Sequence, residues 1–127
     1  MNKQTIITIV IIVVVVLAIL IFAYLDSQKP REPAKYDEFA QCLGNQGAIF
    51  NGAFWCSACA TQKEMFGKSV DFLPYQECSN QDKSMKQECQ DKGIVRYPTW
   101  EFSDGEKVEG VIPLENLAEK TGCLLPE

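Results

Sequence analysis

The sequence predicts an α/β domain, a mixed sheet of four strands with flanking helices, behind one N-terminal membrane-spanning helix. Three observations predict it. Gln4 to Leu25 is a run of 22 residues without a charge, dominated by Ile and Val. Beyond it, apolar periodicity runs helix, strand, helix, strand, helix, hairpin, helix. The hairpin is marked by Asp104-Gly105, a strong turn signal between two short extended runs. Strand–helix–strand followed by an antiparallel hairpin closes as a mixed sheet with helices on both faces.

The apolar run, 22 residues long, makes a helix of roughly 33 Å, against a bilayer core of about 30 Å. It exceeds a typical signal-peptide h-region and no Ala-x-Ala site follows it, so residues 1–25 are expected to be a retained anchor with a short tail. Its β-branched residues are no obstacle, because lipid enforces hydrogen bonding within the segment. Residues 26–35, with Pro30 and Pro33 among charges, read as a semi-extended linker. Residues 36–127 suffice for one domain with one core.

Tyr36, Phe39, Ala40 and Leu43 share a helical face, with Gly44 or Gly47 to stop the helix. Ala48 to Asn51 is a short apolar run and reads as a buried strand. A helix begins near Cys56, lines up Ala58, Gln62, Met65 and Phe66, and ends at Gly67. Phe72 to Cys78 is the second strand, confined by Pro74 to a strand start or sheet edge. Asp82 to Lys92 is polar and helix-favouring, closed by Gly93. Trp100-Glu101-Phe102 alternates as a strand, with Trp100 expected in the core, and Lys107 to Val111 returns from the turn. Pro113 suits the start of a last helix over Leu114, Leu117, Ala118 and Thr121, ended by Gly122.

All 17 acidic residues and 11 of the 12 basic ones lie beyond the apolar run, leaving that part at −6. An acidic, aromatic-poor surface argues against nucleic acid as a partner. There is no His, which excludes Ser-His-Asp and Cys-His catalysis and every His-ligated metal site. Six cysteines in a small domain suggest a disulfide framework, and hence an exported, oxidising setting. One signal runs the other way: Lys29, Arg31 and Lys35 follow the apolar run, while only Lys3 and the α-amino group precede it.

The chemistry concentrates in Trp55-Cys56-Ser57-Ala58-Cys59. Thiols at this spacing can close into a disulfide and reopen. A thiol at a helix start has its thiolate stabilised by unpaired N–H groups, and the thiolate is the nucleophile of thiol–disulfide exchange. Half of a zinc site would need a second close pair or His ligands, whereas the next pair is Cys78-x10-Cys89; no metal is expected. An inert staple would need neither the flanking Trp55 nor the downstream Tyr97-Pro98-Thr99. Cys78 and Cys89 read as a structural disulfide joining a strand end to the next helix, with a second redox relay as the alternative. Cys42 and Cys123 then pair by elimination, or stay free or intermolecular. Their helices are expected on opposite faces of the sheet, which argues against the bridge.

With Trp before the pair and an apolar-Pro-Thr loop about forty residues on, residues 36–122 resemble a thioredoxin-like protein. More narrowly, Gly52 to Cys56, Gln62 to Gly67 and Gly93 to Trp100 are similar to the thioredoxin-like domain of bacterial vitamin K epoxide reductase homologues. Here a single apolar segment stands in place of the epoxide-reductase helices. The resemblance implies that Cys56 is the exposed attacking thiol and Cys59 the buried resolving thiol. It implies that Pro98 is a cis-proline, and that Trp55, Tyr97, Pro98 and Thr99 line the substrate, with the Tyr97 backbone pairing to an extended segment. Two departures stand out. Phe50 occupies the position, six before the first Cys, where thioredoxins commonly place a buried Asp, so the proton acceptor for Cys59 must be something else, Glu64 or water. The Ser57-Ala58 pair matches neither the Gly-Pro of thioredoxins nor the Pro-His of strong oxidants, which implies a less oxidising potential than the Pro-His class.

The function expected is a single-pass, membrane-anchored thiol–disulfide oxidoreductase in the cell membrane, its C-terminal domain on the exported side. It would act on protein thiols and disulfides with the cysteine pair as its only cofactor. Its redox partner would be a membrane protein of the vitamin K epoxide reductase or quinone-linked oxidase type. The alternative is a non-catalytic thioredoxin-fold binding or chaperone module at the membrane.

Overall fold

The structure, a computed structural model, describes every residue except Met1 and Pro30. The tail's first residue and one of the two linker prolines therefore lie outside the described residues. The chain divides between Glu32 and Pro33 into two units. The first holds one helix, α1 (Lys3–Ser27), with a mean hydropathy of 3.7 over its most apolar window and no buried residue. Its 25 residues span about 37 Å, and among the described residues it is the one helix long and apolar enough to cross a membrane. It is apolar all round, unlike the one-sided helices of the second unit.

The second unit runs α2 (Asp37–Asn45), β1 (Ile49–Gly52), α3 (Ser57–Phe66), a 3₁₀ turn (Gly67–Phe72), β2 (Tyr75–Glu77), α4 (Gln87–Asp91), β3 (Thr99–Glu101), β4 (Lys107–Glu109) and α5 (Leu114–Thr121). The sheet order is β2-β1-β3-β4. β1 pairs parallel to β2, with Phe50 opposite Tyr75, and antiparallel to β3, with Phe50 opposite Trp100. β3 and β4 form the hairpin around Asp104-Gly105. This mixed four-stranded sheet with its flanking helices is a thioredoxin-like fold.

Phe50 and Trp100 stack at 5.0 Å between ring centroids, and both are fully buried. Phe39 and Leu43 of α2, Cys59 and Phe66 of α3, and Leu114 and Leu117 of α5 join them in one cluster. Burial of large rings in this quantity makes truncation of one costly, about 3–5 kcal/mol for Trp or Phe to Ala. Asn51, next along β1, points the other way, as strand alternation requires, and reaches Cys78 at 3.7 Å. Beside Cys78 a smaller buried cluster holds Cys89 and Ile94.

Three expectations are corrected. Cys42 and Cys123 are not on opposite faces: α2 and α5 share the Phe50–Trp100 core, and the two residues are bridged with Cα atoms 5.9 Å apart. The strand expected from Phe72 to Cys78 is only Tyr75–Glu77, because the preceding residues coil into the 3₁₀ turn that packs between α2 and α3. The helix expected over Asp82 to Lys92 shrinks to Gln87–Asp91. Asp82 instead accepts hydrogen bonds from the Ser84 amide and hydroxyl, and Ser79 bridges to Met85, so side-chain bonding turns the chain before helix can form. The last helix ends as the sequence indicates: Gly122 takes the left-handed conformation, φ 73°, and its N–H bonds to the Ala118 carbonyl.

Candidate redox site

β1 delivers the chain at Gly52, and residues 53–56 turn it into α3. Cys56 is the N-cap, with extended backbone, and its Sγ accepts a hydrogen bond from the Cys59 N–H at 3.1 Å. The sulfur thus occupies the place a Ser or Asp oxygen takes at other helix starts, where backbone N–H groups lack partners. Cys56 is half-buried and Cys59 is 1% exposed, because position 59 falls on the face of α3 that also buries Gln62 and Phe66. Both thiols are free, whereas Cys42–Cys123 and Cys78–Cys89 are bridged. Burial pushes the Cys59 thiol up to about 12, reinforced by its side-chain hydrogen bond with Cys56 and by Cys56's charge. The Ala53 backbone and the Lys63 ammonium pull in the opposite direction.

The Tyr97–Pro98 peptide is cis. Tyr97 packs edge-on against Trp55 at 5.9 Å, and its hydroxyl donates to the Cys78 carbonyl at 3.1 Å. Trp55 in turn donates its indole N–H to the Ser79 hydroxyl at 2.7 Å. These bonds bring the proline loop against the residue that precedes Cys56. Pro98 is buried, and Thr99 is buried too, its hydroxyl turned back to donate to the Arg96 carbonyl at 2.8 Å. Of the four expected lining residues, Trp55 is exposed and Tyr97 half-buried, while the Thr99 side chain shapes the loop from inside. Phe54 and Val95 add exposed apolar surface, Val95 being 72% exposed. Among the described residues, no cluster of three or more His, Cys, Asp or Glu side chains is placed to hold a metal ion.

Glu64 is exposed, and five positions along α3 it lies roughly 140° around the helix from Cys59. Other polar groups surround the buried thiol instead. Tyr75 donates its hydroxyl to the Glu77 carboxylate at 2.7 Å, and the Lys63 ammonium lies 3.5 Å from the centre of the Tyr75 ring. Burial, then the bond to Glu77 and its charge, push the Tyr75 phenol well above its ordinary range. Burial, ahead of the same carboxylate and the two thiols, raises Tyr97. Gly52 lies between these groups: a Cβ there would stand 2.8 Å from Tyr75 Cε2 and 3.1 Å from Cys59 Sγ. Gly52 and Lys63 fall in stretches that carry the sequence resemblance, without a role read for either, and Tyr75 and Glu77 belong to no motif. The signal that could have found these last two is strand alternation, which puts Tyr75 and Glu77 on one side of β2.

No protein-family model matches the chain. A curated relative is the thiol–disulfide oxidoreductase LTO1 of Arabidopsis thaliana, 42% identical over 93 residues. The match covers 69% of this chain and 24% of that protein, so the chain spans about a quarter of its relative's length. Fold and relative together support a thioredoxin-like domain with a thiol–disulfide oxidoreductase among its homologues.

Proposed function

We propose that this protein is a membrane-anchored thiol–disulfide oxidoreductase acting through Cys56 and Cys59 on exported protein thiols. One observation carries the reading: of six cysteines, four are closed into bridges, and the two left free are a half-exposed helix N-cap and a sealed neighbour one turn on. In the reducing direction, the Cys56 thiolate attacks a substrate disulfide. A bond forms from Cys56 to one substrate sulfur, and the other substrate sulfur leaves as a thiolate that takes up a proton. Cys59 loses its proton and attacks Cys56 Sγ, forming the Cys56–Cys59 disulfide and releasing the second substrate thiol. The substrate gains two electrons and the protein loses two; the same steps reversed oxidise a substrate dithiol.

The exposed Phe54, Trp55 and Val95 offer an apolar rim for an unfolded or extended substrate segment, with the Tyr97 backbone as its pairing edge. The redox partner that resets the pair would be a membrane protein of the vitamin K epoxide reductase or quinone-linked oxidase type, in keeping with the narrower sequence resemblance. α1 would be the single-pass anchor in the cell membrane, with the domain on the exported side, where the two bridges would be stable. The experiment is trapping in membranes. Cys59→Ala should accumulate mixed disulfides through Cys56, and Cys56→Ser should yield none. Absence of any adduct with Cys59→Ala would sink the proposal. A C-terminal reporter active only in the cytoplasm would overturn the topology.

A further inference from the structure

The resolving step needs a base. Cys59 is sealed from solvent, its thiol is hard to ionise, and it must lose a proton before it can attack Cys56. α3 offers Lys63, a cation that favours the thiolate and cannot take the proton, and Cys56, the sulfur under attack. The proline loop offers Tyr97, whose hydroxyl donates to the Cys78 carbonyl, a group that cannot take its proton on. β2 offers Tyr75 and Glu77.

Resting on the exchange reading above, we infer that Tyr75 and Glu77 are the proton-accepting pair for the Cys59 thiol. The Tyr75 ring and the Cys59 sulfur press on the same point over Gly52, where the missing side chain leaves them room to approach. That closeness permits transfer through one water. Tyr75 already donates to Glu77 at 2.7 Å, so its oxygen keeps a lone pair with which to accept. The Cys59 S–H bond breaks as the phenol oxygen gains a proton by way of that water. The phenol's own proton passes to the Glu77 carboxylate. The sulfur's electron pair forms the bond to Cys56, and the substrate sulfur leaves with the pair from the broken mixed disulfide. Glu77's other oxygen accepts the Ser79 N–H at 2.9 Å, which holds the carboxylate in place. β2 is an outer strand and Glu77 is half-buried, so the proton can return to solvent from there. The Lys63 ammonium lies over the Tyr75 ring, a cation–π contact that holds the ring in place beside Gly52. Tyr75 thus relays the proton, and the Glu77 carboxylate is where it comes to rest.

The test uses the full chain in detergent. Its Cys56 thiol is loaded with 5-thio-2-nitrobenzoate from the corresponding aromatic disulfide. Loading frees one equivalent of the coloured thiol and reports attack by Cys56; the second equivalent, freed from the loaded protein, is the release step and reports attack by Cys59. Tyr75→Phe and Glu77→Gln should slow release by at least about tenfold, and more than they slow loading. The release rate of the parent should level off as pH rises, whereas in both variants it should climb in proportion to hydroxide. Glu77→Asp should recover part of the loss. If Tyr75→Phe fails to fold, Glu77→Gln decides alone. Release at the parent rate with an unchanged pH profile in Glu77→Gln overturns the proton-accepting pair while leaving the exchange reading intact. Failure of the parent to load at Cys56 overturns both.

Discussion

Two cysteine pairs of this domain each begin just past the end of a strand, and they differ in every respect that governs reactivity. Cys56 caps a ten-residue helix with Cys59 one turn behind it, and the mouth of the pair is rimmed by exposed Phe54 and Trp55. Cys78 follows β2 and is bridged to Cys89 of the short α4, and neither has any exposed surface. The sulfur chemistry is the same in both. For the proposed exchange, solvent access and a sulfur that caps a helix start suit one pair to act as a reagent, whereas full burial keeps the other a staple although Cys89 also lies in a first helical turn. Trp55 and Tyr97 join the two, since each hydrogen-bonds to a residue of the Cys78–Ser79 segment. The bridged pair thereby braces the wall beside the free pair.

The sharpest way to break this contrast is Cys56→Ser, expected to abolish exchange with a small aromatic disulfide while circular dichroism stays unchanged. Loss of activity on Cys78→Ser with Cys89→Ser, at intact stability, would instead make the buried pair a participant. Removing the longer bridge should cost the most stability. Cys42 and Cys123 are 81 residues apart, and Cys42→Ser with Cys123→Ser should lose about 4–5 kcal/mol in denaturant unfolding. The Cys78–Cys89 bridge closes a separation of 11, and the double Ser variant there should lose roughly 3 kcal/mol. Equal losses from the two would mean that loop length is not what the bridges act through.

The smallest effect is linked to pH. Folding raises Cys59 from 9.0 to about 12, so between those values the folded reduced domain holds a proton that the unfolded chain releases. Its stability is therefore complete below the lower value and falls as pH rises toward the upper one. The oxidised domain has no such thiol to titrate. The urea midpoint of the reduced form should drop relative to the oxidised form as pH rises from 9.0 toward about 12. Parallel behaviour of the two forms would show that Cys59 is not sealed in solution.

Much of the site was legible from residue type and spacing, because its chemistry is local. A cysteine pair one helical turn apart, a Trp before it and a Gly67 after the helix are all decided within a dozen residues, and α3 runs as read, Ser57–Phe66. The hairpin at Asp104-Gly105 and the Gly122 stop are likewise properties of turn residues. The 22-residue uncharged run reads as a long apolar helix from its length, although its Ile and Val residues favour strand elsewhere, and α1 runs through all of it.

Tertiary structure decided what depends on residues distant in sequence. Gln62 looked like one apolar-face position among several. It is fully buried, donates to the Ile112 carbonyl at 3.0 Å, and accepts from the Ile112 N–H at 2.7 Å and the Trp100 indole at 3.2 Å. No periodicity can announce such a bridge between α3, β3 and the approach to α5. The same holds for Cys42 and Cys123, which meet because α2 and α5 pack into one core, and for Tyr75, which comes up to Cys59 only because β2 lies parallel beside β1 across Gly52. Local composition determines which elements form and which side chains are reactive. Which buried groups face one another is set by packing, because a polar or sulfur atom leaves water only where a partner from elsewhere in the chain meets it.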